Sequence, residues 1–381
     1  MLSKFLLKSK HQILPTLFTL GLAIFLLLIP NPYHQALYDQ TERVAAKVLS
    51  VENSEIRQSG IIQTGEQTCI VMLQSGRFKG QQFEGTNLLM GKLEFDKIYV
   101  PGDKVFCVID YDTTGIKHIN LIDHYRLNLE LVLVVIFGLT LVAFAGPVGV
   151  RAILSFVVTV LMIWKILIPS FLIGYNPIVI ALFVVILLTI AIISMVYGFD
   201  KKALAAILGS TLGTVLTATL SVVFVNLFKI HGAVMSYSES LLYSGYQHLH
   251  LTNIFIASIF IASSGALMDV AVDITSAVNE LIEKNPSLSR KEAILSGMTV
   301  GRAIMGTMTT TLLLAYSGGY IALLMVFMAQ GTPIVNILNL KYVSSEILHT
   351  LIGSFGLITV APFTALTSGF LLTSHREDSG I

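Results

Sequence analysis

The sequence predicts an α-helical integral membrane protein of about nine transmembrane helices with a small N-terminal extracytoplasmic all-β domain. Hydrophobic residues make up 54% of the chain and charged residues only 12%, with a mean hydropathy of +0.78, which excludes an ordinary soluble globular protein. Charge is also unevenly spread, because residues 31–126 hold ten Lys/Arg and twelve Asp/Glu. The rest is long apolar runs, so one small soluble unit is joined to a large membrane unit.

Apolar runs of about 20 residues are long enough to cross a bilayer as helices. The candidate spans are 13–30, 127–146, 152–172, 177–197, 203–228, 251–270, 294–316, 320–338 and 347–373. Residues 1–30 are interpreted as a transmembrane anchor, since no small-x-small cleavage site precedes Pro30; a cleaved signal peptide is the alternative. Residues 127–373 form the polytopic membrane domain, and 374–381 a tail.

The distribution of Lys and Arg predicts the orientation. With a cytoplasmic N-terminus, ten basic residues fall in cytoplasmic segments and two, Lys229 and Arg376, in short outer segments. Residues 31–126 are then extracytoplasmic, and the C-terminus lies outside if the chain crosses nine times. The turn residues from Gly331 to Pro333 leave a re-entrant eighth segment open as an alternative.

The soluble unit, residues 31–126, alternates apolar and polar residues in short runs separated by turn signals such as Pro101-Gly102-Asp103. Five or six strands in fewer than a hundred residues predict a small barrel of the oligonucleotide-binding (OB) or SH3-like kind. A net charge of +1 and the lack of an aromatic and basic stripe argue against nucleic acid as a partner. Cys69 and Cys107 lie in predicted strands, and either a disulfide or two buried thiols fits them.

Three charged residues lie within or beside apolar segments, where charge is expensive. Asp269 and Asp273 are four residues apart and share one helix face. Arg302 lies at a similar depth in the next, antiparallel span, so we expect Asp269 and Arg302 to meet. A structural ion pair is the plainer interpretation, and a cation or proton path is the alternative.

Further polar and helix-breaking residues follow Arg302. Thr307, Thr310 and Thr311 share roughly its face; they either bond carbonyls of their own helix or extend a polar track. Pro333 and Pro362 are candidate helix breaks, since proline removes a backbone donor. Tolerated kinks and discontinuous helices beside a substrate site are both open.

Motifs of known catalytic chemistry are missing from the sequence. It contains no HExxH, GxSxG or P-loop pattern. His248 and His250 lack a third ligand at a suitable spacing, so no metal site is expected. The chain is therefore predicted not to be an enzyme and to need no cofactor.

Three blocks of the membrane domain resemble a known family. They are Tyr197–Lys202 continuing to Gly213, Ser264–Asp269, and Gly301–Leu312, with its Gly-Arg and Met-Gly-Thr-Met-Thr run. Together they resemble the YibE/F-like family of bacterial multipass membrane proteins over about residues 125–373, and the outer domain is similar to that of longer members. The resemblance implies this architecture and a bacterial plasma membrane, with no defined reaction and no catalytic residue.

Three functional hypotheses remain. A transporter or permease for an unidentified small solute or ion would explain the large membrane domain and the charged residues within its helices. A non-transporting component of an envelope assembly, binding a partner through the outer domain, is the second, and an intramembrane enzyme the third. We expect the chain to contact membrane lipid. A second membrane protein and a second copy of the chain, forming a homo-oligomer, are both possible protein partners.

Overall fold

The structure is a computed structural model that describes the backbone of residues 2–30, 41–113 and 115–373, and side chains from Ile13 onward. The chain divides into two compact units, residues 31–149 and residues 1–30 with 150–381. This division joins the helix after the strands to the β unit, whereas the sequence predicts a boundary at 126. The tail 374–381 lies outside the described residues.

Strands and helices occupy the regions where alternation and apolar runs predict them. The strands are β1 Thr41–Glu52, β2 Arg57–Ser59, β3 Ile62–Leu73, β4 Gln82–Met90, β5 Lys104–Asp112 and β6 Gly115–His124. The helices are α1 Leu2–Leu28, α2 Leu127–Ala145, α3 Pro147–Met162, α4 Ile168–Ile173, α5 Pro177–Tyr197, α6 Lys201–Leu227, α7 Ser238–Tyr243, α8 Leu251–Lys284, α9 Arg290–Ser317, α10 Ile321–Ala329, α11 Ile334–Asn339 and α12 Lys341–Thr373. A π-helical turn, Ile163–Leu167, connects α3 to α4.

The β unit is a closed five-stranded barrel, with β2 added beside β3. The strands follow the order β1-β5-β6-β4-β3, and β1 also pairs with β3. The β4 and β6 strands meet in parallel and the other pairs are antiparallel. The predicted small barrel is confirmed, and its crossed connection is of the Greek-key kind that OB-type barrels have.

Alternate residues of the barrel strands fill its interior, as the period of two requires. Val44, Ala46 and Val48 of β1 are buried, and so are every second residue from Cys69 to Leu73 and from Val105 to Ile109. A one-residue slip of any of these strands would expose its apolar set, so the alternation fixes the register.

One buried amide connects the barrel wall to the loop between β4 and β5. The Gln67 side chain is fully buried; its Nε2 donates to Asn53 Oδ1 (2.8 Å) and to the Tyr99 carbonyl (2.9 Å). Its Oε1 accepts from the Tyr99 amide (3.0 Å) and from Asn87 Nδ2 (3.0 Å). Without Gln67 the amide and carbonyl of buried Tyr99 would lose these partners, so the network holds Tyr99 in the core.

The helical unit contains most of the membrane-length helices. Among the described residues, seven segments are long and apolar enough to span: Leu127–Ala145, Pro147–Ile173, Pro177–Tyr197, Lys201–Leu227, Leu251–Lys284, Arg290–Ala329 and Lys341–Thr373. The apolar part of α1, Ile13–Leu28, is shorter. These helices indicate a membrane-embedded protein and confirm the predicted class, while the number of nine crossings is not confirmed.

Small residues let α12 lie at the centre of the helical unit. A Cβ added to Gly209 of α6 would come 2.3 Å from Thr364 Oγ1, and one on Gly301 of α9 would come 2.8 Å from the Ala361 methyl group. Thr367 Oγ1 also donates to the Ala205 carbonyl of α6 (2.8 Å). Close backbone approach through small residues is how helices pack where lipid removes the hydrophobic driving force.

The same contacts show that α12 runs antiparallel to α9. Near its end, α12 lies beside the start of α9, since Gly369 meets Ile294 and the Arg290 carbonyl. Near its beginning, Gly353 meets Leu312 and Tyr316 at the other end of α9. The chain between the two helices therefore returns to the end at which α9 finishes.

This direction differs from the expectation of an eighth crossing over 320–338. That segment forms α10 of nine residues and α11 of six, both too short to span. Gly331, with a positive φ of 64°, and Pro333 separate them. The segment thus behaves as the re-entrant alternative, and the C-terminal end of α12 lies at the same end of the bundle as Lys201 and Arg290.

We predict that Gln67→Leu destabilises the β unit by about 2–3 kcal/mol, because it leaves the Tyr99 amide and carbonyl without their buried partners. Hydrogen–deuterium exchange of the full-length protein should rise in residues 91–103. Gln58→Leu is the matched control, since Gln58 is exposed and bonds only the nearby Gly60 carbonyl. Equal exchange in the two variants would contradict the structural role of Gln67.

A second prediction concerns the direction of α12. Single cysteines at Ser287, Lys341 and Thr373, in a chain without Cys69 and Cys107, should react with a membrane-impermeant maleimide in sealed vesicles. We expect positions 287 and 373 to be labelled from one side and position 341 from the other. A ninth crossing predicts the reverse grouping, with 287 and 341 together and 373 alone.

Candidate functional site

The three charges that the sequence singles out do not form an ion pair within the chain. Asp269, Asp273 and Arg302 are all exposed, and within the described part of the chain none of them lies within 4 Å of an opposite charge. The expected pairing of Asp269 with Arg302 is therefore wrong. The two helices are adjacent, so distance between helices is not the reason.

Rotation of each helix explains this result. Gly301 of α9 packs against Ala361 and Ile274, and Arg302, one residue further, is turned about 100° away from that contact. On α8, Ile274 and Val270 are fully buried, which turns Asp273 and Asp269 to the outer side. Close packing through Gly301 therefore keeps the opposite charges apart.

The threonines and prolines after Arg302 behave mostly as local structure. Thr307 and Thr311 are exposed and donate to the carbonyls of Ile304 and Thr307, each at 3.1 Å, and Thr310 is exposed on the same helix. Pro333 is the N-cap of α11 and lies at the break after α10. Pro362 is inside α12, which is continuous from Lys341 to Thr373, so the expected break at Pro362 does not occur.

A different polar cluster, which the sequence pattern does not predict, lies where α8, α9 and α12 meet. The His349 ring of α12 stacks on Phe255 of α8, with ring centroids 5.2 Å apart and an angle of 10° between planes. Its Nε2 is 3.1 Å from Ser258 Oγ, and its ring is 5.6 Å from that of Tyr316 of α9. We refer to Ser258, Tyr316, Glu346 and His349 as the α12 polar cluster.

The hydrogen bonds fix the role of His349 Nε2. Ser258 Oγ donates to the Phe255 carbonyl at 2.7 Å, so its hydrogen is already used. In its contact with His349 the hydroxyl then accepts, and Nε2 donates. These contacts hold the His349 ring in one orientation between α8 and α12.

Two groups of the α12 polar cluster lack partners. Glu346 Oε1 and Tyr316 Oη are buried and have no hydrogen-bond partner among the described residues. Glu346, together with Tyr320 and Thr350, also lines a largely apolar cavity of about 220 Å³. An unpaired carboxyl oxygen beside an apolar cavity is costly unless it serves a ligand or a proton.

A sequence signal for this cluster exists. Glu346-Ile347-Leu348-His349 places an acid and an imidazole three residues apart, hence on one helix face. The span predicted from the sequence begins at residue 347, which places Glu346 in a loop and His349 near the interface between membrane and water. Since α12 begins at Lys341 instead, both side chains belong to the membrane-length helix.

Among the residues that the structure describes, no group of three or more His, Cys, Asp or Glu side chains gathers. His248 Nε2 lies 3.1 Å from the Leu172 carbonyl instead. The α12 polar cluster offers one carboxylate, one imidazole and two hydroxyls, a set suited to relaying protons or contacting a polar solute.

Cys69 and Cys107 are free, fully buried thiols in β3 and β5, so the candidate disulfide is not formed. Burial raises the pKa of the Cys69 thiol to about 11 and that of Cys107 to about 12. Both strands pair with β1, and the thiols serve as small apolar core groups.

Comparison with known proteins supports one family. The model of the family described as YibE/F-like protein matches residues 133–374, which is more than half of the chain and confirms the resemblance in the membrane domain. Searches of curated proteins and of solved structures found no match.

We predict that the β unit loses stability above about pH 8.5, where unfolded thiols ionise. The folded thiols keep their protons up to their raised pKa values of about 11 and 12. Above about pH 8.5 the unfolded state therefore binds fewer protons than the folded state, so the free energy of unfolding falls as pH rises. At pH 10 we expect it to be lower by about 2 kcal/mol for each thiol than at neutral pH. Pulse proteolysis in urea between pH 7.5 and 10 measures it, and a Cys69→Ala/Cys107→Ala variant should lack this loss.

Proposed function

We propose that this chain, which belongs to the YibE/F-like family, is a transporter or permease for a small solute or ion. The α12 polar cluster carries the proposal. It puts an unpaired carboxyl oxygen beside a cavity of about 220 Å³, and an imidazole bonded to Ser258 three residues further along the same membrane-length helix.

Energetics support a role beyond packing. Ionisable side chains inside membrane helices are expensive, and they commonly mark substrate or proton paths. A leucine at position 346 would fill the same apolar surroundings without the unpaired oxygen. Tyr316 Oη has no partner among the described residues either, so the α12 polar cluster is not a self-satisfied structural network.

We further propose a bacterial plasma membrane, a cytoplasmic N-terminus and an extracytoplasmic barrel. With α12 running antiparallel to α9, Arg376 joins the cytoplasmic segments and Lys341 the outer ones. Ten basic residues then lie in cytoplasmic segments and two in short outer segments, as before. The chain crosses the membrane eight times if α1 is counted. In this orientation the α12 polar cluster lies toward the outer ends of α8, α9 and α12.

Partner binding by the barrel is the second candidate, and one observation favours it. Ile61, Leu88, Met90 and Leu93 expose 59–78% of their surface; Gly91 packs on Ile62, which brings the end of β4 beside the start of β3. Exposed apolar groups in one region are typical of protein interaction sites. Deleting 41–124 distinguishes the two functions, since a transporter should retain solute movement and an assembly component should lose its phenotype.

We predict that Glu346→Gln and His349→Ala each abolish function while the protein remains folded. A metabolite and ion profile of a deletion strain supplies the readout, because it presupposes no substrate. The wild-type gene should restore the profile of the deletion strain. If the ionisable groups are required, each variant should reverse less than about a tenth of the change that the deletion causes.

Glu280→Gln is the matched control, because Glu280 is exposed near the end of α8 and pairs only with Lys284 (2.6 Å). It should complement fully. Full complementation by Glu346→Gln would overturn the role of the carboxylate, and an unchanged profile in the deletion strain would argue against transport.

A further inference from the structure

The outward faces of α8 and α9 carry opposite charges that the single chain does not neutralise. On α8 this face includes Asp269 and Asp273, and on α9 it includes Arg302; all three are exposed. None makes a hydrogen bond or ion pair within the described part of the chain. Exposed opposite charges on membrane-length helices are free to pair with complementary charges of another surface.

The opposite charges lie at the same depth. The α8 and α9 helices are joined by a short loop between Lys284 and Arg290. Asp273 is eleven residues before Lys284, and Arg302 is twelve residues after Arg290. At 1.5 Å per residue both lie about 16–18 Å from that end of the bundle.

These faces are also shaped for close contact. Gly265 of α8 and Gly306 of α9 have no atom within 4 Å of an added Cβ, whereas Gly297 and Gly301 on the inner face of α9 are crowded by α12. Only four of the 28 residues of α9 are buried within the chain, and they are Ala293, Gly297, Gly301 and Leu312. The α9 helix thus presents an uncovered small and polar face.

We propose that a second copy of this chain covers these faces, with Arg302 of one copy paired to Asp273 of the other and Asp269 one turn further. A second copy fits because the chain carries both complementary charges at one depth, in a membrane that aligns the two copies. Gly265 and Gly306 let the helices approach closely enough for the pair to form. This interface does not depend on the transport activity proposed above.

Cross-linking between copies tests the pairing. Two differently tagged copies, both lacking Cys69 and Cys107, are expressed together, one with Asp273→Cys and the other with Arg302→Cys. We expect oxidation in native membranes to give a dimer that carries both tags. Val215→Cys replaces Asp273→Cys as the control, since Val215 is exposed at a similar depth on α6 and should give no such dimer.

Charge reversal tests the energetics without relying on one variant. Arg302→Asp and Asp273→Arg should each weaken the dimer in nanodiscs by more than about tenfold, and the double variant should restore it, because only the pair is exchanged. Both variants keep a charge of similar exposure, so misfolding alone would not be repaired by the double change. A monomeric wild type, or a dimer unaffected by either reversal, would overturn the proposal. So would an Arg302→Cys chain that cross-links only to a different protein.

Discussion

The close packing of α12 against α6, α8 and α9 is the contact on which the rest of the membrane unit depends. It uses small residues rather than bulky apolar ones, since Gly209 and Gly301 leave no room for a side chain. In lipid, where apolar surface has no incentive to leave its surroundings, such close contact supplies the attraction between helices. The direction of α12 follows from these contacts, and with it the end of the bundle at which α12 finishes.

This packing divides the polar side chains of the membrane helices into two groups. His349 is turned inward between Phe255 of α8 and Tyr316 of α9, and Glu346 lines an apolar cavity. Asp273 and Arg302 are turned outward, because their neighbours Ile274 and Gly301 occupy the inner contact. One constraint therefore produces both an internal polar cluster and an external pair of complementary charges.

The barrel solves the burial of polar groups differently. Its strands close on themselves, so β1 pairs on both sides and leaves no free edge. Its buried amide, Gln67, has partners for both of its polar atoms. Buried polar atoms without a partner among the described residues occur in both units, at Asn87 Oδ1 and Tyr99 Oη in the barrel and at Glu346 Oε1 in the helical unit. Glu346 is the better functional candidate because it is ionisable and lines a cavity between membrane-length helices.

Composition and periodicity by themselves determined the membrane class, most of the spans and the small barrel, and the Gly-Arg block after Gly301 indicated the family. Those features depend on local patterns. Tertiary structure alone decided the fate of Arg302, the direction of α12 and the free state of Cys69. The physical reason is that periodicity defines the faces of a helix but not the neighbour that each face meets, and one residue of rotation separates a buried glycine from an exposed arginine.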